Sequence, residues 1–232
     1  MSRADVTIAQ PAAGADRRPT LTRARVVEAA IELADRAGIG AISMRKLGQE
    51  LGVEAMSLYT HVEGKDDLLD GMADAVVAAI PNEPSAGSWK HELRRTILDA
   101  RATLVRHPWA AGVIETRAEP GPATIGYMDR VAAIMLGGGF SADLAHHALH
   151  VLGSRVLGFS QDLFDDKAEV DPEATATVAR QLADAYPSVA AIAFAASHEG
   201  GLGGCDDDVE FAFGLDLILD GLERRSQPRR RQ

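Results

Sequence analysis

Residues 42–65 read ISMRKLGQELGVEAMSLYTHVEGK, a pattern typical of two short helices joined by a tight turn. Ser43 is a favourable N-cap for the first helix, because its hydroxyl can accept a hydrogen bond from a backbone N–H that lacks a partner inside the helix. Leu47 and Leu51 lie four positions apart and therefore share one face of that helix. Gly52 predicts its end, since glycine adopts a left-handed conformation at little cost.

The second helix is predicted over residues 55–62, with Leu58 and Val62 on its inner face. The major groove of DNA admits one helix, and cations beside such a helix can bind phosphate. The spacing alone fits both a DNA-binding helix-turn-helix and an ordinary helical hairpin. The outer residues are Met56, Ser57, Tyr59, Thr60 and His61, and the flanking cations are Arg45, Lys46 and Lys65.

The composition of the 232-residue chain favours an all-α protein. Hydrophobic residues make up 46% of it and aromatic residues 5%, and their spacing is helical with little strand-type alternation. The single cysteine, Cys205, excludes an intramolecular disulfide. The first residues lack the apolar core of a signal peptide, and no apolar run has membrane-spanning length. We therefore expect a soluble, cytoplasmic protein with no membrane partner.

The net charge of −10 is unevenly distributed along the chain. Residues 1–65 carry nine Lys and Arg against eight Asp and Glu, so the negative charge lies almost wholly in the remainder. A mildly basic end on an acidic body suits a protein that approaches DNA in one orientation. Such modest positive charge also predicts weak non-specific binding and reliance on two half-sites.

Caps and periodicity predict further helices on both sides of this segment. The helix at 66–80 would join the helix-turn-helix to the rest of the chain. The last helix is apolar on so many sides that it should be buried from more than one direction, for example against a second subunit. The predicted helices span residues 22–37, 66–80, 88–107, 123–136, 141–164, 172–186 and 208–225.

Three histidines raise the possibility of a metal site. His146 and His150 lie four positions apart, which allows two imidazoles on one helix to share an ion, and His147 is adjacent. No HExxH pattern and no GxSxG elbow is present, so we predict no metal, no cofactor, no catalytic residue and no enzymatic activity. The alternative is an all-α small-molecule-binding or metal-dependent protein in which the helix-turn-helix is only scaffold.

The central segment resembles the DNA-binding domain of the TetR (tetracycline repressor) family. The matching stretches are AISMRKL at 41–47, LGV at 51–53, LYTHV at 58–62 and KDDLL at 65–69. The resemblance implies that Arg45 lies near bases and that Lys65 contacts a phosphate. It also implies DNA contact by Ala55, Met56, Ser57, Tyr59, Thr60 and His61.

The resemblance continues into the larger part of the chain. Residues 115–122 (ETRAEPGP), 139–141 (GFS), 158–159 (GF) and 213–223 (FGLDLILDGLE) are similar to the tetracycline-repressor type of C-terminal domain. It implies a homodimer, in which the helices at 141–164 and 208–225 pair with their twins, and a ligand cavity in each subunit. The predicted division is a disordered arm at 1–18, a three-helix DNA-binding domain at 19–66, a ligand-binding and dimerisation domain at 67–225 and a basic tail at 226–232, with about nine to ten helices in all.

The resemblance does not extend to the ligand. Ile114 and Ser154 stand where the tetracycline repressor has histidines beside magnesium, an ion that requires oxygen ligands and water. We therefore predict a ligand-responsive repressor that binds a palindromic operator in double-stranded DNA and is released by a small, largely apolar effector other than magnesium-tetracycline. The predicted cavity-lining residues are Trp109, Ile114, Tyr127, Met128, Val131, Met135 and Phe159.

Overall fold

The computed structural model describes residues 20–83, 87–158, 177, 180–181, 183–196 and 206–227. These residues contain ten α-helices and no β-strand, which confirms the predicted all-α class. The helices are α1 (Arg23–Ala37), α2 (Met44–Leu51), α3 (Ala55–Leu58), α4 (Lys65–Ala78), α5 (Trp89–Arg106), α6 (Ala110–Thr116), α7 (Pro122–Gly137), α8 (Ala142–Leu157), α9 (Pro187–Ala196) and α10 (Asp207–Ser226).

Side-chain caps begin several of these helices where the sequence predicts them. The Ser43 hydroxyl accepts a hydrogen bond from the backbone N–H of Lys46, and Ser88 and Ser141 act in the same way at α5 and α8. Each such cap satisfies one of the N–H groups that a helix leaves without an internal partner. Gly52 ends α2 with φ of 66°, the left-handed conformation that the sequence predicts.

Three predicted helix bounds need correction. Helix α3 ends at Leu58 rather than at residue 62, because the chain continues in tight turns in which His61 and Val62 both donate to the Leu58 carbonyl. The helix predicted at 172–186 ends before residue 186, since the described residues 183–185 are helical and residue 186 is not. Pro187 then begins α9, because the first helical turn does not use the N–H that proline lacks. Helix α8 ends at Leu157, and residues 159–164 of its predicted span lie outside the described residues.

The described residues form two large hydrophobic cores and a small third cluster of Val77, Ile80 and Ala100. The first joins α1–α4 and is centred on fully buried side chains such as Leu33, Leu47, Leu58 and Met72. The second joins α5, α7, α8 and α10. Helix α6 belongs to the first core, because its residues Ala110 and Val113 are buried there with residues of α1–α4. A helix from the larger part of the chain therefore packs against the helix-turn-helix unit.

A row of ion pairs fastens α5 to α10. Lys90 lies 2.6 Å from Asp220 and 2.7 Å from Glu223, and Arg94 lies 2.7 Å from Asp216. The hydrogen bonds that Lys90 donates to Asp220 and Glu223 raise the pKa of Lys90. The basic residues Lys90 and Arg94 of α5 are therefore turned towards α10.

Candidate DNA-binding surface and effector cavity

Helix α3 presents one face to solvent and the other to the core. Leu58 and Val62 are buried, whereas Met56 is 75% exposed and Tyr59 47% exposed. Ser57 and Thr60 are also exposed, and Ala55 and His61 are half-buried at the edges of this face. The exposed side chains are those that the sequence assigns to DNA contact.

The turn between α2 and α3 depends on a glycine. A Cβ at Gly48 would lie 2.8 Å from the carbonyl oxygen of Val53 and 3.2 Å from the nitrogen of Ala55. Both of those atoms are backbone and cannot move aside cheaply. Gly48 thus allows α3 to cross α2 closely, and this residue is a determinant of the surface that sequence reasoning missed.

Basic side chains flank the exposed face of α3. Arg45 and Lys65 are exposed, and Lys46 is half-buried. Arg45 projects from α2, and Lys65 is the first residue of α4. The predicted cations therefore lie on the two helices that adjoin α3 along the chain, as phosphate contact would require.

Arg23, the first residue of α1, contacts the segment that follows α3 and the start of α4. Its guanidinium forms two hydrogen bonds to the Asp67 carboxylate, at 2.7 and 2.5 Å, and a third to the carbonyl of His61 at 3.1 Å. The Asp67 carboxylate also accepts from the Glu63 N–H at 2.8 Å. The hydrogen bond from Arg23 lowers the pKa of Asp67. This cluster ties the segment after α3 to the first turns of α1 and α4.

An apolar cavity of about 130 Å³ lies among α4, α5, α6, α7 and α8. It contains four of the residues that the sequence assigns to it: Ile114, Tyr127, Met128 and Val131. Two others lie elsewhere, since Met135 is fully buried in the second core and Trp109 packs in the first. Phe159 lies outside the described residues. The remaining lining residues are Val77, Ile80, Ile97, Ala100, Leu104, Thr124, Leu149, Leu152, Gly153, Val156 and Leu157.

Trp109 joins the two parts of the chain instead of lining the cavity. Its indole N–H donates to the Asp35 carboxylate of α1 at 2.7 Å, and Nδ1 of His107 lies 2.9 Å from the same oxygen. An indole N–H that is buried needs such a partner. Sequence spacing could not reveal this contact, because the partners are more than 70 positions apart.

Among the described residues that line the cavity, Thr124 and Tyr127 alone have a side-chain oxygen or nitrogen. The Tyr127 oxygen is buried and has no hydrogen-bond partner among the described residues. Burial raises the pKa of the Tyr127 phenol above its usual value, so the group stays protonated as a hydrogen-bond donor. The guanidinium of Arg130 lies 5.3 Å from the centre of the ring.

Three carboxylates of α4 contact residues 117–124, which run from the end of α6 into the first turn of α7. Asp66, Asp70 and Asp74 lie four positions apart and so follow one face of the helix. Asp74 accepts hydrogen bonds from the N–H groups of Ala123 and Thr124, at 2.8 and 3.2 Å.

Arg117, which follows α6, completes this contact. Its guanidinium lies 3.3 Å from Asp70 and 3.7 Å from Asp66. A Cβ at Gly121 would clash with the Asp74 carboxylate, so the loop approaches α4 closely only because residue 121 is glycine. Helix α4 is therefore bound to the loop between α6 and α7 through its acidic face.

The histidines of α8 are close to one another. The rings of His146 and His150 lie 4.7 Å apart between centres, and those of His146 and His147 lie 5.6 Å apart. All three side chains are exposed. In the part of the chain that the structure describes, no group of three or more His, Cys, Asp or Glu side chains is placed to hold a metal ion.

None of the described helices combines the length and the apolar character needed to span a membrane.

An exposed helix-turn-helix joined to a second helical domain with an apolar cavity defines the general class of this protein. The sequence matches two family models: residues 26–72 match the one described as bacterial regulatory proteins of the tetR family, and residues 80–226 match the tetracyclin repressor-like C-terminal domain. The chain belongs to the TetR family. It is thus a helix-turn-helix DNA-binding regulator of transcription.

Curated relatives and solved structures agree with this assignment. The chain is 34% identical over 214 residues to the HTH-type transcriptional repressor DrrR1 of Streptomyces coeruleorubidus, covering 89% of this chain and 78% of that protein. It is 40% identical over 90 residues to the class D tetracycline repressor protein of Escherichia coli, or 38% of this chain and 41% of that one. The apo structure of ActR from Streptomyces coelicolor superposes with a TM-score of 0.69 at 26% identity, covering 89% of this chain and 96% of ActR.

Proposed function

We propose that this protein is a homodimeric repressor that binds a palindromic operator and is released by a small, largely apolar effector. The observation that carries the proposal is the position of α4. Its first turn is tied to the segment after α3 through Asp67 and Arg23, and its last turns supply Val77 to the cavity wall. One helix therefore connects the surface proposed to bind DNA with the cavity proposed to bind the effector.

Exposed apolar residues support the dimer. Along α10, Val209, Phe213 and Leu217 lie four positions apart and are 60%, 62% and 56% exposed. The opposite face of α10 is buried in the second core, where Phe211, Leu215 and Leu219 pack. A helix that is apolar on both sides requires a second cover. In the proposed dimer this cover is the same helix of a second copy.

The lining of the cavity supports an apolar effector. Thirteen of its fifteen residues are aliphatic, methionine or glycine, and none carries a charge. Magnesium requires several oxygen ligands, whereas the described lining offers only the hydroxyls of Thr124 and Tyr127, so we propose an effector other than magnesium-tetracycline. ActR, which is 26% identical, was solved in complex with actinorhodin, and this supports an organic molecule as the occupant of the corresponding cavity.

Release of DNA would follow from the contacts of α4 with the cavity rim. An effector that displaces Ile114 of α6 or Thr124 of α7 also moves the partners of the α4 carboxylates. Because the first turn of α4 is fixed to the segment after α3, such a shift alters the orientation of both recognition segments in the dimer. A coupling of about 1–3 kcal/mol is sufficient for this kind of regulation. Since the chromosome of a bacterium lies in its cytoplasm, we place the protein there.

The experiment is to recover genomic DNA fragments bound by the purified protein and by a Tyr59→Ala, Lys65→Ala double variant. The proposal predicts that the wild type enriches one palindromic sequence and that the double variant does not, although its melting temperature is unchanged. Arg225→Ala is the matched control, because it removes an exposed cation of α10, a helix that packs in the second core and not beside α3. A double variant that enriches the same palindrome would refute the proposed DNA surface.

A further inference from the structure

Tyr127 is the polar feature of the cavity that the packing of the protein does not explain. Its oxygen is buried and has no hydrogen-bond partner among the described residues, although the ring packs among Val77, Ile80 and Ala100. A buried hydroxyl without a partner destabilises a fold, and phenylalanine would pack in the same space without that cost. Because Tyr127 lines the cavity and no described residue partners its hydroxyl, the missing partner points to a ligand.

The remaining lining restricts the chemistry of that ligand. None of the described residues that line the inner cavity is charged, so among them an ionised group would lose its hydration without gaining a counterion. A tyrosine phenol is protonated at neutral pH, and burial raises the pKa of Tyr127 further, so its hydroxyl offers a proton to an acceptor. The complementary ligand is neutral and apolar over most of its surface, with an oxygen that accepts one hydrogen bond.

The space available also allows a ligand longer than the inner cavity. A groove of about 510 Å³ adjoins the cavity and shares Ile114, Thr124, Met128 and Leu157 with it. The charged residues that line this groove are Asp70, Asp74, Glu115, Arg117 and Glu119. Ligand sites commonly measure about 300–1,000 Å³, so the cavity and the groove together fall in the usual range.

We infer that the effector is a mostly apolar molecule carrying a neutral carbonyl, and that the Tyr127 hydroxyl donates a hydrogen bond to this carbonyl and so selects it. This inference rests on the proposed function for the identity of the site as the effector site. It adds the chemical class of the ligand and the residue that determines specificity.

The test compares two probes that differ by one carbonyl, 9-fluorenone and fluorene. Their affinities for the full chain are measured by equilibrium dialysis, for the wild type, for Tyr127→Phe and for Tyr59→Phe. The wild type should bind 9-fluorenone about tenfold more tightly than fluorene, as expected for one buried hydrogen bond. Tyr127→Phe should bind both probes with the affinity that the wild type has for fluorene.

Tyr59→Phe is the matched control, because it removes a phenolic oxygen from the exposed face of α3 and should leave the tenfold preference unchanged. Tyr127→Phe should melt at or above the temperature of the wild type, since the oxygen that it removes lacks a partner among the described residues. The inference is wrong if Tyr127→Phe keeps the preference for 9-fluorenone, if the wild type has no preference, or if it binds neither probe.

Failure of the inference can be told from failure of the proposed function. A protein that enriches an operator but does not distinguish the two probes remains a repressor and loses only the carbonyl assignment. A protein that distinguishes the probes through Tyr127 but enriches no DNA retains the ligand site and loses the repressor function.

Discussion

The recognition segment and the effector cavity are built in opposite ways. The first is formed by residues 43–62, which are close in sequence, and its shape depends on the Ser43 cap, the Gly48 crossing and the buried Leu58. The cavity draws on five helices between residues 77 and 157. A surface made by neighbouring residues keeps its shape, whereas a cavity whose walls are separate helices can change when those helices move. This difference suits a regulator in which a rigid DNA-binding segment is repositioned when the effector cavity changes shape.

Removing core volume from either region should have the largest effect. Leu58→Ala in the first core and Met135→Ala in the second each delete a fully buried side chain, so each should cost about 2–5 kcal/mol. Urea denaturation monitored by circular dichroism measures this cost. Met128→Ala is the control, since Met128 lines the cavity mouth and is 49% exposed, and its cost should stay below about 1 kcal/mol. An equal cost for Met128 and Met135 would contradict the placement of Met135 in the core.

The rim contact between α4 and α7 should have an intermediate effect. Asp74→Ala removes the carboxylate that caps the first N–H groups of α7, which should cost about 1 kcal/mol. For a chain of this size the melting temperature would fall by about 2–4 °C. The matched control is Asp129→Ala, which removes an exposed carboxylate of α7 itself and should leave the melting temperature unchanged. Equal shifts in the two variants would mean that Asp74 does not anchor α7.

The Arg23–Asp67 pair should give a smaller effect that depends on pH. Because Arg23 lowers the pKa of Asp67 in the folded protein, the stabilisation is present above the unfolded pKa of about 4 and is lost as the pH falls through the folded value. Both side chains are partly exposed, so the contribution should be at most about 1 kcal/mol. The free energy of unfolding of Asp67→Asn, measured from pH 7 to pH 2.5, should fall less on acidification than that of the wild type. Identical pH profiles would show that the pair adds no stability.

The same contrast explains how much the sequence could predict. The caps at Ser43, Ser88 and Ser141 and the exposed face of α3 follow from short-range spacing, and the structure agrees with each. Trp109 and Met135 were assigned to the cavity because they are large and apolar, a property that core residues share. The neighbours of these two residues are determined by packing between helices that are distant in sequence. The spacing of apolar residues along the chain does not reveal such contacts.

The ion pairs illustrate the same limit. Lys90 and Arg94 lie on the polar stripe of α5, which a sequence pattern cannot distinguish from a solvent-exposed face. Their acidic partners on α10 are more than 120 positions away. Complementary charge on the two helices is visible in the sequence, but only the fold brings the two stripes together.

The salt dependence of operator binding tests the central claim most directly. If Lys65 contacts one phosphate in each half-site, a dimer of Lys65→Ala makes two fewer phosphate contacts than the wild type. The slope of log K against log salt concentration should then become shallower by about 1.8, since each contact contributes about 0.9. Binding is measured on the recovered operator by fluorescence anisotropy, with Arg225→Ala as the control that keeps the wild-type slope. An unchanged slope for Lys65→Ala would contradict the assigned DNA surface, and a change of about 0.9 would contradict binding as a symmetric dimer.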